Sequence, residues 1–174
     1  MQYFKWASNA VHGDFGYSAR AHQAGAVVYP DDQLSTGDPI YLSLVDDLFV
    51  SYNLRWDSIV RFKGSGSTTL DATIKGKSGW AHTIDLGPAT TYTGADGRAT
   101  AVVNLAAIRD IAGQVQRLTH VTEPSYTVAI TAKTHLDGTV SGQRTSPEFT
   151  SVVELTGDAT ILRVASSTAP AIAP

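Results

Sequence analysis

Five histidines carry most of the sequence's capacity for proton transfer or metal binding near neutral pH. They are His12, His22, His82, His120 and His135. Their spacing does not match the His-Glu-x-x-His zinc pattern or another close ligand spacing. His135 and Asp137 lie two positions apart in an alternating segment, so both side chains are expected on one face of a strand, where they could share a proton or a metal. Such a pair more often belongs to a solvated polar face, and we favour that interpretation.

Aspartates are concentrated in segments that carry turn signals. Those between positions 31 and 47 are Asp31, Asp32, Asp38, Asp46 and Asp47. Loop carboxylates can bind calcium, which takes six to eight oxygen ligands, but the EF-hand spacing is absent. Aspartates in loops usually accept backbone N–H bonds and stabilise turns. The sequence therefore predicts no metal site and no cofactor.

Nucleophilic catalysis by serine needs an oriented base, and the sequence marks none. The Gly-x-Ser-x-Gly motif of serine hydrolases is absent, and residues 59–67, rich in Gly and Ser, predict an exposed loop. A signal-peptidase mechanism would need a Ser–Lys dyad, which no local pattern marks around Lys63, Lys75, Lys77 or Lys133. The sequence contains no cysteine, which excludes thiolate catalysis and disulfides. No catalytic residue is predicted.

Aromatic side chains offer another chemistry, because exposed rings can stack against sugars. The candidates for such a platform are Trp6, Trp56, Trp80, Tyr41, Tyr52 and Tyr92. Tyr52 and Trp56 follow the apolar phase of an alternating segment, which favours a place in the core over ligand binding.

The elements that would position these residues are mainly strands, because most of the sequence alternates with period two. Residues 48–56 place apolar side chains on one face, with Phe49 as the exception. A long run from Ser125 keeps its phase through Gly138, so we predict one long strand with a bend or bulge there and a turn at residues 141–144. The predicted core residues are Tyr52, Leu54, Trp56, Tyr126, Val128 and Ile130.

One segment has helical periodicity instead. After Asn104, a suitable N-cap, apolar residues recur at intervals of three and four up to Leu118, which predicts one α-helix over about residues 105–118. Several antiparallel strands with a single helix in a connection predict a mainly β fold, an antiparallel two-sheet β-sandwich.

Length and charge limit the organisation and the partners. The 174 residues fit one domain, which we divide into a lead-in (1–13), the sandwich (14–164) and a Pro/Ala-rich linker or floppy terminus (165–174). No run of 18 apolar residues occurs, so no membrane span is predicted in this chain. The net charge of −3 argues against nucleic acid as a partner.

The order of segments over residues 14–164 resembles a known family. The resemblance lies in Thr36–Tyr41, Leu44–Asp46, Trp56, Gly79-Trp80, Leu86, Tyr92–Gly94, the predicted helix, Tyr126–Val128, Gly138–Val140 and Phe149. That family is a domain of unknown function in membrane-anchored proteins of archaea and actinobacteria, some of them labelled signal-peptidase-related. The resemblance implies an extracytoplasmic domain between two membrane anchors that lie outside this chain. The family has no assigned catalytic residues, so none are transferred.

Three hypotheses on function follow from these patterns. The first is a non-catalytic extracytoplasmic module of a membrane-anchored cell-envelope protein, which presents a protein- or glycan-interaction surface or acts as a spacer. The second is a carbohydrate-binding module. The third is an envelope hydrolase or a signal-peptidase-associated domain.

Overall fold

The computed structural model describes residues 11–22, 27–58 and 60–172. Its strands are β1 (Val11–Arg20), β2 (Gln33–Leu34), β3 (Ile40–Tyr41), β4 (Asp47–Trp56), β5 (Phe62–Gly76), β6 (Ala81–Asp85), β7 (Thr90–Thr93), β8 (Gly97–Asn104), β9 (Tyr126–Val140), β10 (Gln143–Thr145), β11 (Glu148–Gly157) and β12 (Ile161–Ile172). The α-helix is α1 (Leu105–Thr119), and a short 3-10 turn spans Pro30–Asp32.

The strands form two antiparallel sheets. The smaller sheet has the order β2-β1-β4-β8, and the larger sheet has the order β3-β12-β11-β9-β5-β6, with β10 paired to β9 and β7 paired to β5. The two-sheet β-sandwich predicted from the sequence is therefore confirmed.

Strand β9 is the centre of the larger sheet. It pairs with β5 in unbroken register from Phe62 opposite Val140 to Gly76 opposite Tyr126. The prediction of one long strand is correct, but the register shows no bulge at Gly138, which lies opposite Gly64. The chain then reverses at Ser141 and Gly142, whose φ angles of 53° and 80° suit a tight hairpin turn.

The core lies between the two sheets, because alternate side chains of each strand point inward. Five of the predicted core residues are buried, namely Tyr52, Leu54, Tyr126, Val128 and Ile130. Trp56 is only half-buried, because it ends β4 and packs against the margin of the core beside Phe62. The large side chains that fill the centre include Phe149 and Leu155, both about fully buried.

Helix α1 begins where the sequence predicts. The side-chain oxygen of Asn104 accepts the backbone N–H of Ala107 at 2.7 Å, which caps the first turn. Leu105, Ile108 and Ala112 are buried against the core. Leu118, predicted on the same apolar face, is 83% exposed, because the helix leaves the sheets before its last turn.

Two segments differ from their sequence-based interpretation. The Gly/Ser-rich segment was expected to form an exposed loop, but from Phe62 onward it belongs to β5. Gly64 faces the backbone of Asp137 and Gly138 so closely that a Cβ atom would collide with it, so this glycine permits close strand packing.

The segment from Ala165 onward was expected to be a linker or floppy terminus. The structure instead continues β12 to Ile172, which lies opposite Phe149 of β11. The hydrogen bonds of an existing strand edge order a segment that has little apolar area of its own.

At the other end, β1 begins at Val11, before the predicted domain start at residue 14. Trp6 lies outside the described residues. Within the described ranges, no helix has the length and apolarity needed to cross a bilayer.

Candidate functional sites

A polar cluster occupies the outer face of the larger sheet where β9 meets β10 and β11. We call it the serine–histidine cluster, and its members are His135, Asp137, Arg144, Ser146 and Glu148. Glu148 lies directly opposite His135 in the ladder between β11 and β9. The Oγ atom of Ser146 is 3.2 Å from Nε2 of His135, and Nδ1 of His135 is 3.4 Å from Oε1 of Glu148. One imidazole therefore lies between a hydroxyl group and a carboxylate.

The predicted pair His135 and Asp137 does share this face, but each side chain has another partner. Asp137 faces the guanidinium of Arg144 at 3.5 Å, whereas His135 faces Ser146 and Glu148. Among the described residues, no group of three or more His, Asp or Glu side chains is arranged to hold a metal ion. The structure therefore does not support a metal ion shared by His135 and Asp137.

The loop aspartates differ in their contacts. Asp38 accepts the backbone N–H of Ser35 at 2.9 Å, and Asp47 accepts a side-chain N–H of Asn104 at 3.2 Å. Asp46 pairs with His22 at 3.1 Å. Asp31 and Asp32 both have positive φ angles, near 54° and 57°, in the 3-10 turn. The turn role expected from the sequence is seen in the contact of Asp38, whereas Asp46 and Asp47 contact residues distant in the sequence.

The indole N–H groups of the two described tryptophans bond to the protein itself. Trp56 donates to the carbonyl of Val60 at 2.9 Å, and Trp80 donates to the carboxylate of Glu123 at 2.9 Å. The hydroxyl groups of Tyr52 and Tyr92 also bond to buried side chains on the larger sheet, Ser151 and Thr68 respectively. Burial raises the pKa of both tyrosines, so they are protonated at neutral pH. Tyr41 is half-buried beside Tyr29, with ring centroids 6.2 Å apart. These aromatics act mainly in packing.

A groove runs over the outer face of the smaller sheet. Its floor is the cross-strand pair of Phe49 on β4 and Val102 on β8, which are 54% and 47% exposed. The groove is lined by Ser18, Phe49, Val50, Ser51, Leu86, Arg98, Thr100, Ala101 and Val102 and has a volume of about 770 Å³. Hydroxyl groups and one guanidinium surround an exposed apolar centre, which is a common composition for a ligand-binding surface.

The candidate lysines do not form a Ser–Lys dyad within the described residues. Lys133 binds the carboxylate of Asp71 at 3.0 Å. No lysine in these ranges makes a side-chain hydrogen bond to a serine, which removes support for a signal-peptidase mechanism built on this pair of residue types.

No family model, curated protein or solved structure matches the chain. Function therefore has to be argued from the two surfaces. The sequence analysis missed the groove and identified only His135 and Asp137 of the serine–histidine cluster, although the other residues also had a signal. Phe49 is the apolar residue that breaks the polar phase of its strand, and Ser146 and Glu148 share the period-two spacing of His135 and Asp137.

Proposed function

We propose that this chain is an extracytoplasmic binding module of a membrane-anchored cell-envelope protein, and that the groove on the smaller sheet binds an extended segment of a partner protein. The observation that carries the proposal is the exposure of Phe49 and Val102 side by side, 54% and 47%. An apolar cross-strand pair at the centre of a groove stabilises the complex when a partner removes it from water. The extracytoplasmic setting comes from the resemblance of the sequence segments.

The position of β8 supports an extended partner. Within the described residues, β8 pairs only with β4 and forms the edge of the smaller sheet. Alternate residues of an edge strand direct N–H and C=O groups outward, where a segment of another protein can continue the ladder. The eight residues of β8 offer an edge longer than the average strand. The apolar pair then serves as a contact for alternate side chains of that segment.

Arg98 gives the groove a preference in charge. It lines the groove and forms no salt bridge with another described residue. A carboxylate of the partner would carry the opposite charge, and a guanidinium can bind a carboxylate through two parallel hydrogen bonds. The expected partner segment is therefore extended, with apolar residues at alternate positions and an acidic residue near one end.

A peptide array tests this proposal. Ten-residue peptides with alternating apolar residues, with and without a terminal aspartate, are titrated against the protein and three variants. Phe49→Ser and Arg98→Gln each should weaken binding of the aspartate-containing peptides by about tenfold or more, equivalent to about 1.4 kcal/mol. Val164→Thr is a matched control, because Val164 is 41% exposed on β12 of the other sheet. Equal binding by all variants, or no binding by any peptide, would contradict the proposal.

A glycan is the second candidate ligand. It is favoured by the exposed ring of Phe49 beside the cross-strand pair of hydroxyl-bearing residues Ser51 and Thr100, an arrangement that could stack and hydrogen-bond a sugar. An oligosaccharide array under the same conditions separates the two ligands. Binding of sugars but not of peptides, with loss in Phe49→Ser, would replace the peptide proposal by a carbohydrate-binding module.

A further inference from the structure

The serine–histidine cluster has the arrangement that activates a serine hydroxyl. We propose that Ser146 is a nucleophile that accepts acyl groups from esters, with His135 as its general base and Glu148 as the residue that orients the base. The proposal goes beyond partner binding and concerns the opposite sheet. It rests on the two distances of 3.2 and 3.4 Å at the two nitrogens of one imidazole. Nucleophile, base and orienting carboxylate are thus connected in the order that acyl transfer requires.

The sheet holds these three groups in place through its register. Ser146 and Glu148 are two positions apart, so an extended chain turns both side chains toward the same face. The backbone N–H of Leu136 donates to the carbonyl of Pro147 at 3.0 Å, which fixes the segment between β10 and β11 against β9. His135 is anchored in β9, which pairs with β5 and β11 on its two sides. His135 and Glu148 lie in paired strands, and Ser146 lies in the short connection next to the bonded carbonyl of Pro147, which reduces the cost of orienting the groups.

The two nitrogens of His135 have different roles in this geometry. The carboxylate of Glu148 lies 3.4 Å from Nδ1 in an ion-pair contact, which favours the tautomer with the proton on Nδ1 and a lone pair on Nε2. That lone pair faces the Ser146 hydroxyl. Glu148 also stabilises the imidazolium that forms when the serine proton is transferred. It is a positioning residue, because it touches neither the serine nor the ester.

The reaction balances with water as the second substrate. Ser146 Oγ attacks the ester carbonyl carbon, its proton moves to Nε2 of His135, and the carbonyl oxygen gains the electron pair. Collapse of this intermediate expels the alcohol, which takes the proton from His135 and leaves an acyl group on Ser146. Water then attacks the acyl carbon and gives a proton to Nε2, which returns it to Ser146 Oγ as the acid leaves. No group is oxidised or reduced.

Arg144 supplies positive charge on the same face. It lies two positions before Ser146 and faces Asp137, which engages only part of a guanidinium with five N–H donors. A guanidinium on this face could stabilise the oxyanion if it turned from Asp137 toward the substrate. The side chains of His135 and Glu148 are 48% and 64% exposed, so the site is open and suits acyl esters that project from a larger molecule. Because the site is open to water, Arg144 stabilises the oxyanion less than it would in a buried site, since electrostatic interactions are weaker in a high dielectric.

The test uses p-nitrophenyl acetate with the whole chain. We expect slow release of nitrophenol and an acetyl group on Ser146, located by peptide mass spectrometry. Ser146→Ala should remove that adduct, and His135→Gln should lower its rate of formation by about 100-fold, the lower range of general base catalysis. Ser67→Ala is the matched control, because Ser67 lies on the same face opposite His135 on β5. It should leave the rate unchanged.

The role of Glu148 is tested by a conservative pair of variants. Glu148→Gln should lower the acylation rate of Ser146, whereas Glu148→Asp should restore part of it, because a carboxylate is still present. The side chains of His135, Ser146 and Glu148 are exposed and that of Ser67 is half-buried, so circular dichroism should be unchanged and the melting temperature nearly so. Acetylation that is equally fast in Ser146→Ala, or that is found on lysines alone, would overturn the proposal.

Discussion

The hydroxyl groups of Tyr52 and Ser151 lie 2.9 Å apart in the interior, and they connect the two sheets. Tyr52 belongs to β4 of the smaller sheet and Ser151 to β11 of the larger sheet, and they are 1% and 0% exposed. Each hydroxyl group has lost its water, so each depends on the other for a hydrogen bond. The bond therefore favours one alignment of the two sheets over others.

We predict that Tyr52→Phe and Ser151→Ala are strongly non-additive. Ser151→Ala leaves the tyrosine hydroxyl buried without its partner and should cost about 1–3 kcal/mol of the free energy of unfolding. In the double variant both polar groups are gone, so the loss should be smaller than the sum of the two single losses. Urea unfolding of the four proteins measures this coupling. Additive losses would show that the hydroxyl groups are satisfied independently.

A second prediction concerns the glycines that contact Tyr92. Its ring lies against Gly66 of β5 and Gly97 of β8, where an added Cβ atom would overlap it. Gly97→Ala should therefore destabilise the fold by roughly 1–3 kcal/mol through overpacking. The matched control is Gly113→Ala in α1, where a Cβ atom would meet a side-chain nitrogen of Arg117 at an ordinary 3.5 Å. That variant should gain up to about 1 kcal/mol from helix propensity. Opposite signs in thermal melts are the expected result.

The sequence predicts the strand content, the helix and the alternation of β4 because these follow from local periodicity. It fails at Gly64 and Gly66, since a glycine that admits a neighbouring strand looks the same in sequence as one in a flexible loop. It fails at β12 for a related reason: the order of a small-residue segment depends on the edge of β11, which is distant in sequence.

Apart from the shared face of His135 and Asp137, the candidate sites escaped prediction for the same physical reason. Contacts between Ser146 and His135 depend on the register of two strands, which local patterns specify only weakly. Likewise, the exposure of Phe49 depends on nothing being packed over the outer face of the smaller sheet. The sequence alone could identify Phe49 as an apolar residue out of phase, but it could not show whether another part of the chain covers its side chain.

A third prediction concerns Glu123, whose carboxylate joins the segment after α1 to the turn after β5. It accepts the backbone N–H of Ser78 and, at 2.9 Å, the indole N–H of Trp80. Glu123→Gln should lower the melting temperature at neutral pH, because an amide replaces one acceptor oxygen by an N–H group that faces a donor. Ser78→Ala separates the two contributions of Ser78, because it removes the hydroxyl group, the main cause of the lowered pKa of Glu123, and retains the backbone N–H.

The same contacts should make stability depend on pH. Hydrogen bonds from Ser78, with a smaller contribution from Trp80, lower the pKa of Glu123 from its ordinary value of 4.5. The folded state then binds fewer protons at this group than the unfolded state, so its contribution is complete above about pH 4.5 and is lost as the pH falls through the lowered pKa. The difference in melting temperature between the protein and Glu123→Gln should shrink over that acidic range. A difference that is constant with pH would contradict this assignment.

The last prediction compares two aromatic residues of the same strand, Tyr52 and Trp56. Tyr52 is fully buried, so Tyr52→Ala should cost roughly 3–5 kcal/mol through lost burial and the cavity left behind. Trp56 has the larger ring but is half-buried, and it packs on Phe62 with ring centroids 5.7 Å apart. Trp56→Ala should therefore cost about 1–3 kcal/mol, since part of the ring is already in water and the gap can fill with solvent. Denaturant unfolding decides between them, and a loss in Trp56→Ala equal to or above that in Tyr52→Ala would show that the indole anchors the core.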